Sequence, residues 1–209
     1  MKYSIQKVLA AILGVFLSAV GVAFNNSAGL GNDPVGIFYD GIRNALGLTT
    51  AQLGLASNIV NVSLVILLLI LARKYISIGT LIYFLPYGFF VTVGNNIYQI
   101  LIPADTIPAR ILFSIAGCLT LYIGIAICIT ADIGVDPFTG IVLYLTEKLK
   151  KPYRTMKILF DITLILIGLL LGGTPGVVTL FTAFLGGPLI QFFINIIKKY
   201  ILLHNKTHI

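Results

Sequence analysis

Six stretches of this chain, roughly 7–28, 51–72, 77–101, 109–131, 156–172 and 177–198, are long enough and apolar enough to cross a bilayer. About 20 residues at 1.5 Å rise each cover a hydrocarbon core about 30 Å thick. The expected fold is therefore all-α, a polytopic membrane protein with six transmembrane helices. Composition agrees: 58% of residues are hydrophobic, 10% are charged, and mean hydropathy is +1.02. A soluble domain of this size needs far more charge to clothe its surface. The apolar run after Met1-Lys2-Tyr3 continues for about a full span without a small-x-small cleavage site. It is expected to be a span rather than a cleavable leader.

The net charge of +7 does not point to nucleic acid, because the basic residues flank the apolar runs. There they orient a membrane protein. With both termini cytoplasmic, twelve Lys and Arg face inward, and only Arg43 and Arg110 face outward. Two further segments, 33–47 and 136–150, read as short helices, each opened by Asp-Pro with Asp as N-cap and Pro at the first helical position. About 15 residues extend some 22 Å, short of a full crossing. If both crossed, the charge count would be the same, so length and internal charge decide. Asp40 would lie near mid-membrane in the first, and Glu147, Lys148 and Lys150 crowd the end of the second. The expectation is six spans, with the two short helices re-entrant or interfacial.

The chain also repeats itself. Gly14, Gly21-Val22-Ala23, Gly31, Asp33-Pro34 and Asn58 recur as Gly117, Gly124-Ile125-Ala126, Gly134, Asp136-Pro137 and Asp161, at a constant offset of 103. Thr80 and Pro86 recur as Thr182 and Pro188 at an offset of 102. Three crossings per half make the halves, 1–104 and 105–209, two inverted-topology repeats of about 100 residues within one membrane domain. Inverted repeats are common in secondary transporters, where the site lies at the midplane between halves.

The Leu/Ile-Gly-x-Asp-Pro turn before a short helix, the Asn58 helix and the Ile78-Gly79-Thr80 entry resemble the YczE/YyaS/YitT family of bacterial integral membrane proteins. The resemblance covers nearly the whole chain and implies a multi-pass protein of the bacterial cytoplasmic membrane. Asn32 and Val135 stand where a small polar residue such as Ser is expected. No site residue is carried over from the family.

The substrate-binding candidates come from the residues themselves: Asp161, Asn58, Asn61, Asp33, Asp136, Asn95 and Asn96. Asp33 and Asp136 sit where helix N-termini attract anions, yet as N-caps they occupy some of those donors. Each is either a plain helix start or an element that lines an entrance or contacts a cation. Asp161 is the one acidic residue well inside a long span; Lys157, four residues earlier, shares its face. It is either a paired structural charge or a proton or substrate ligand. The amides are either interhelical hydrogen bonds or, together, a polar lining. Gly31 and Gly134 allow sharp turns, and Gly21 and Gly124, with Gly14 and Gly117, allow close helix packing. Tyr75, Tyr98, Tyr153 and Tyr200 near segment ends read as interface anchors.

Cys118 and Cys128, ten residues apart on one helix, are too distant for a disulfide and read as packing residues. His204 and His208 fall in the polar tail. No enzymatic constellation, metal set or cofactor site emerges from the spans. The expected function is a small-solute transporter or exporter with a polar site between the halves. Its partners are the lipid bilayer and a small-molecule solute, with no nucleic acid. The alternative is a non-transporting scaffold or substrate-capture subunit, with a second copy or a membrane complex as partner.

Overall fold

The computed structural model describes residues 4–101 and 106–206, with side chains as far as Lys199. The expected boundary between the halves, at 104/105, lies outside the described residues, as do Lys2 and His208. The side chains of Tyr200, His204 and Lys206 lie outside them too.

The described chain is helical, with no strand. The elements are α1 (Ile5–Ala28), α2 (Pro34–Ala45), α3 (Leu53–Leu71), α4 (Ile78–Phe84), α5 (Tyr87–Leu101), α6 (Ile107–Ala131), α7 (Pro137–Leu149), α8 (Tyr153–Leu170) and α9 (Val177–Lys206). Among the described residues, five stretches are long and apolar enough to cross a membrane: Ile5–Ala28, Thr50–Leu71, Ile78–Leu101, Ile107–Ala131 and Val177–Lys199. The sixth expected crossing is α8. It has only 18 residues and carries Arg154, Lys157 and Asp161, so it falls outside that set.

The segment expected as one crossing at 77–101 is two helices, α4 and α5, parted at Leu85-Pro86. Proline has no N–H and its ring clashes with the preceding turn. Asn58 on α3 steadies the break, its Oδ1 accepting from the Gly88 N–H at 3.0 Å. Pro188, the sequence counterpart of Pro86, lies inside an unbroken α9. The counterpart of Asn58 there is Asp161, and Lys157 already engages it.

The core is built on α1 and α6, which run antiparallel in backbone contact. A Cβ added at Gly21 would lie 2.6 Å from both the Gly117 carbonyl oxygen and the Leu121 nitrogen. One at Gly124 would lie 2.5 Å from the Gly14 carbonyl oxygen and the Ser18 nitrogen. Only glycine permits that approach. Arg110, at the start of α6, closes the far end of α1 by donating from Nε to the Ala28 carbonyl at 2.6 Å and from Nη2 to that of Gly29 at 3.1 Å.

Side chains sort by solvent as lipid requires. On α3, Leu55, Ile59, Val62, Ile66 and Leu69 recur at helical spacing and face outward, while Ala56, Ser57, Val60 and Asn61 are buried. Most buried polar groups pair internally, as a water-poor interior requires, although the Ser114 and Thr146 hydroxyls have no hydrogen-bond partner among the described residues. Tyr98, expected at the interface, is buried instead, with its ring 6.1 Å from that of Phe24 and 5.4 Å from that of Phe113. An aromatic body finds more contact between helices than at their ends. Cys118 and Cys128 are buried free thiols beside α1.

Candidate functional site

After α1 the chain does not stay at the surface. Gly29 closes the helix in the left-handed region (φ 64°), and Gly31 turns again with φ 97°. Asn32 then reaches back to α1, its Nδ2 donating to the Val22 carbonyl at 3.0 Å. Val22 lies six residues before the end of α1, so the chain has re-entered the bundle by about 9 Å. There α2 begins. Asp33 caps it, accepting from the Gly36 N–H at 3.0 Å, and Pro34 occupies the first helical position. Leu30 is held by its carbonyl, which accepts from the Val178 N–H at 3.0 Å at the start of α9.

The other end of α2 is fastened to α8. Arg43 donates to Asp40 Oδ1 from Nε at 2.9 Å and Nη2 at 2.8 Å, and from Nη1 to the Leu48 carbonyl at 2.9 Å. The second oxygen of Asp40 accepts from the Thr174 N–H at 2.8 Å. The acidic group read as a burden on a crossing is thus neutralised and fully bonded. Asn44 donates to the Gly172 carbonyl, and Gly41 packs on the Gly168 backbone.

The second Asp-Pro turn follows the same plan at the far end of α6. Asp132 ends α6 in the left-handed region, Gly134 has φ 146°, and Gly79 packs on the Ile133 carbonyl. Thr80 Oγ1 donates to the Val135 carbonyl at 2.9 Å. Asp136 caps α7 by accepting from the Thr139 N–H at 3.0 Å. Beyond it, Leu68 packs on Gly140, and Lys74 and Tyr75 both bond the Glu147 carboxylate.

The beginnings of α2 and α7 meet inside the molecule. The Tyr39 ring lies 5.7 Å from Phe138 on α7 and 5.8 Å from Tyr87 on α5, and its hydroxyl donates to Asn61 Oδ1 at 3.2 Å. Tyr39 and Tyr87 are each within Coulomb range of both Asp33 and Asp136. One ammonium joins them: Lys157 on α8 bonds Asp161 at 2.5 Å and also lies in the field of Asp33 and Asp136. Three carboxylates against one ammonium leave a formal excess of two negative charges. Each helix N-terminus offsets roughly half a charge, so the cluster stays negative by roughly one. Such a site draws protons or amines rather than anions.

The candidates from sequence thus divide. Asp33, Asp136 and Asp161 come together, with Asn61 beside them through Tyr39. Asn58 serves the break before α5. Asn95 accepts from Ser27 and donates from Nδ2 to the Thr50 carbonyl at 2.7 Å, tying α5 to α1 and to the turn before α3. Asn96 is exposed and stands apart from the cluster. Tyr39 and Tyr87 were missed; the one signal for Tyr39 was a place on the same short helix as Asp33. Lys157 was read only as the partner of Asp161. No group of three or more His, Cys, Asp or Glu side chains with metal-holding geometry occurs among the described residues.

Residues 5–195 match a family described as a family of unknown function, DUF6198. The chain belongs to that family. Among its relatives is YyaS of Bacillus subtilis, an uncharacterised protein 23% identical over 195 residues, covering 93% of this chain and 95% of the relative. An uncharacterised Haemophilus influenzae protein is 26% identical over 172 residues, covering 82% of this chain and 76% of its own. Kinship with YyaS places the family where the Gly-x-Asp-Pro turns pointed. No solved structure matches.

Proposed function

We propose that the protein carries a small cationic or zwitterionic solute across the bacterial cytoplasmic membrane, using two inverted three-crossing repeats with both termini on the cytoplasmic side. The observation that carries this reading is Lys157, which bonds Asp161 and also lies in the electrostatic field of Asp33 and Asp136, where the two Asp-Pro helices begin. Asp33 and Asp136 cap their own helices, and the Lys157–Asp161 pair as a structural contact does not need them nearby. A site that exchanges its own cation for an incoming one does.

The inverted repeat draws support from how counterpart residues trade contacts. Gly21 packs on Gly117 and Gly124 packs on Gly14, although Gly21 matches Gly124 and Gly14 matches Gly117. Gly31 sits against Thr179, and Gly134 sits against Ser77, the counterpart of Thr179. Reciprocal contact of this kind is the mark of a two-fold relation. The antiparallel run of α1 and α6 supports a relation in which one half is upside down.

Proteoliposomes loaded with a panel of amino acids, polyamines and monovalent cations test the proposal. Flux of at least one solute is expected, with Lys157→Gln and Asp136→Asn lowering it by about tenfold or more, the worth of one charge-assisted bond. Asn96→Ala is expected to leave it unchanged. Absence of flux across the panel, or flux indifferent to both site variants, refutes the reading. Single cysteines at Leu46 and Lys151, in a background lacking Cys118 and Cys128, are expected to label from opposite sides. Labelling from one side refutes the inversion.

A further inference from the structure

Where α3 ends, the chain turns at Arg73–Tyr75 against the last turns of α7 and leaves a cavity of about 560 Å³ open to the surface. Leu71, Ala72, Arg73, Lys74, Tyr144, Glu147 and Lys148 line it. Lys74 is spoken for by Glu147. Lys148 lies over the Tyr144 ring, 5.3 Å from its centroid, and donates to its hydroxyl at 3.0 Å. The Arg73 guanidinium, with five donors, has no acceptor among the described residues. Two positive charges therefore remain after the internal pair is subtracted.

We infer that this cavity holds the phosphate diester of an anionic phospholipid. Depth argues for a lipid: Arg73 follows directly on a 19-residue apolar helix, so the charges sit at the level of the headgroups. Shape argues the same way, since Leu71 and Ala72 give the cavity an apolar side against which the start of an acyl chain packs. A free guanidinium beside an ammonium is the donor set that phosphate oxygens take, and basic pockets between helices at the headgroup level recognise such lipids. The bound lipid would join α3 to α7, the helix that carries Asp136. The inference rests on these residues alone and stands whether or not the protein transports a solute.

Native mass spectrometry of the full chain with equal phosphatidylglycerol and phosphatidylcholine tests it. The parent is expected to retain phosphatidylglycerol preferentially. Arg73→Gln with Lys148→Gln is expected to lower retention about 25-fold, roughly fivefold for each charge near the surface. Glu147→Gln, which frees Lys74, is expected to raise it, a change that misfolding does not produce. Arg154→Gln, a basic residue outside the cavity, is expected to lower retention of phosphatidylglycerol relative to phosphatidylcholine less than either cavity substitution alone. Equal retention of both lipids, an unaffected double variant, or weaker retention in Glu147→Gln overturns the inference. Displacement of the lipid by millimolar inorganic phosphate, together with thermal stabilisation by phosphate alone, assigns the cavity to the free anion and overturns it too.

Discussion

Replacing Asp40 with Ala isolates the bond network that fastens α2 to α8. The parent carboxylate accepts three hydrogen bonds, two from Arg43 and one from the Thr174 N–H, and the pair is nearly buried, with side chains 10% and 4% exposed. Without Asp40, the guanidinium keeps the Leu48 carbonyl as its one partner among the described residues and remains an uncompensated buried charge. Breaking a buried pair by removing one partner costs about 3–5 kcal/mol. In a chain near 200 residues each kcal/mol moves the midpoint by about 2–4 °C, so a fall of roughly 6–20 °C is expected. Removing both charges, as Asp40→Leu with Arg43→Met, is expected to return most of the loss and end within about 2 kcal/mol of the parent. Pulse proteolysis across an SDS titration reads the free energies, and the Asp40→Leu and Arg43→Met singles complete a cycle with the double variant. An Asp40→Ala protein within about 1 kcal/mol of the parent refutes the argument. So does a double variant as unstable as the singles added together.

Two other perturbations bear on the framework. Gly21→Val pushes a side chain into the backbone of α6 and is expected to lower stability by about 1–3 kcal/mol or more, whereas Gly187→Ala, whose Cβ meets nothing within 4 Å, is expected to raise it by about 0.5–1 kcal/mol. Thermal midpoints in detergent check both. Bonds from Lys74 and Tyr75 hold the Glu147 carboxyl below its ordinary value. Their contribution is then full above the ordinary carboxylate range and is lost as pH falls through the lower folded value. Midpoints of the parent and of Glu147→Gln are expected to differ near pH 7 and to converge as the pH falls below the ordinary carboxylate range; a difference constant with pH refutes this.

Much of the fold was legible because lipid imposes its own pattern. Five of the six expected crossings, both Asp-Pro helix starts and the close glycine contact of α1 with α6 follow from length, capping and small-residue spacing. Those signals are local. The split at Pro86 needed knowledge that Asn58 supplies an acceptor to the N–H beyond it, while α9 keeps Pro188 in register without such help. At the site, the sequence revealed its acids but not their convergence. Asp33 and Asp136 are 103 residues apart in the chain, and only the two inward turns bring them near Lys157. Asp40 misled in the opposite direction, because its cost as a lone buried acid was weighed without Arg43 three residues later and Thr174 far along the chain.

The bare-backbone crossing of α1 and α6 limits how the protein can move. Where main chain meets main chain at the glycines these helices can pivot, but sliding along one another would drive neighbouring side chains such as Leu121, Ser18 and Cys128 into main chain. The crossing therefore acts as a fulcrum. Any exposure of the central charges to one side or the other falls to what hangs from it, above all the split α4–α5 arm and the two inserted helices.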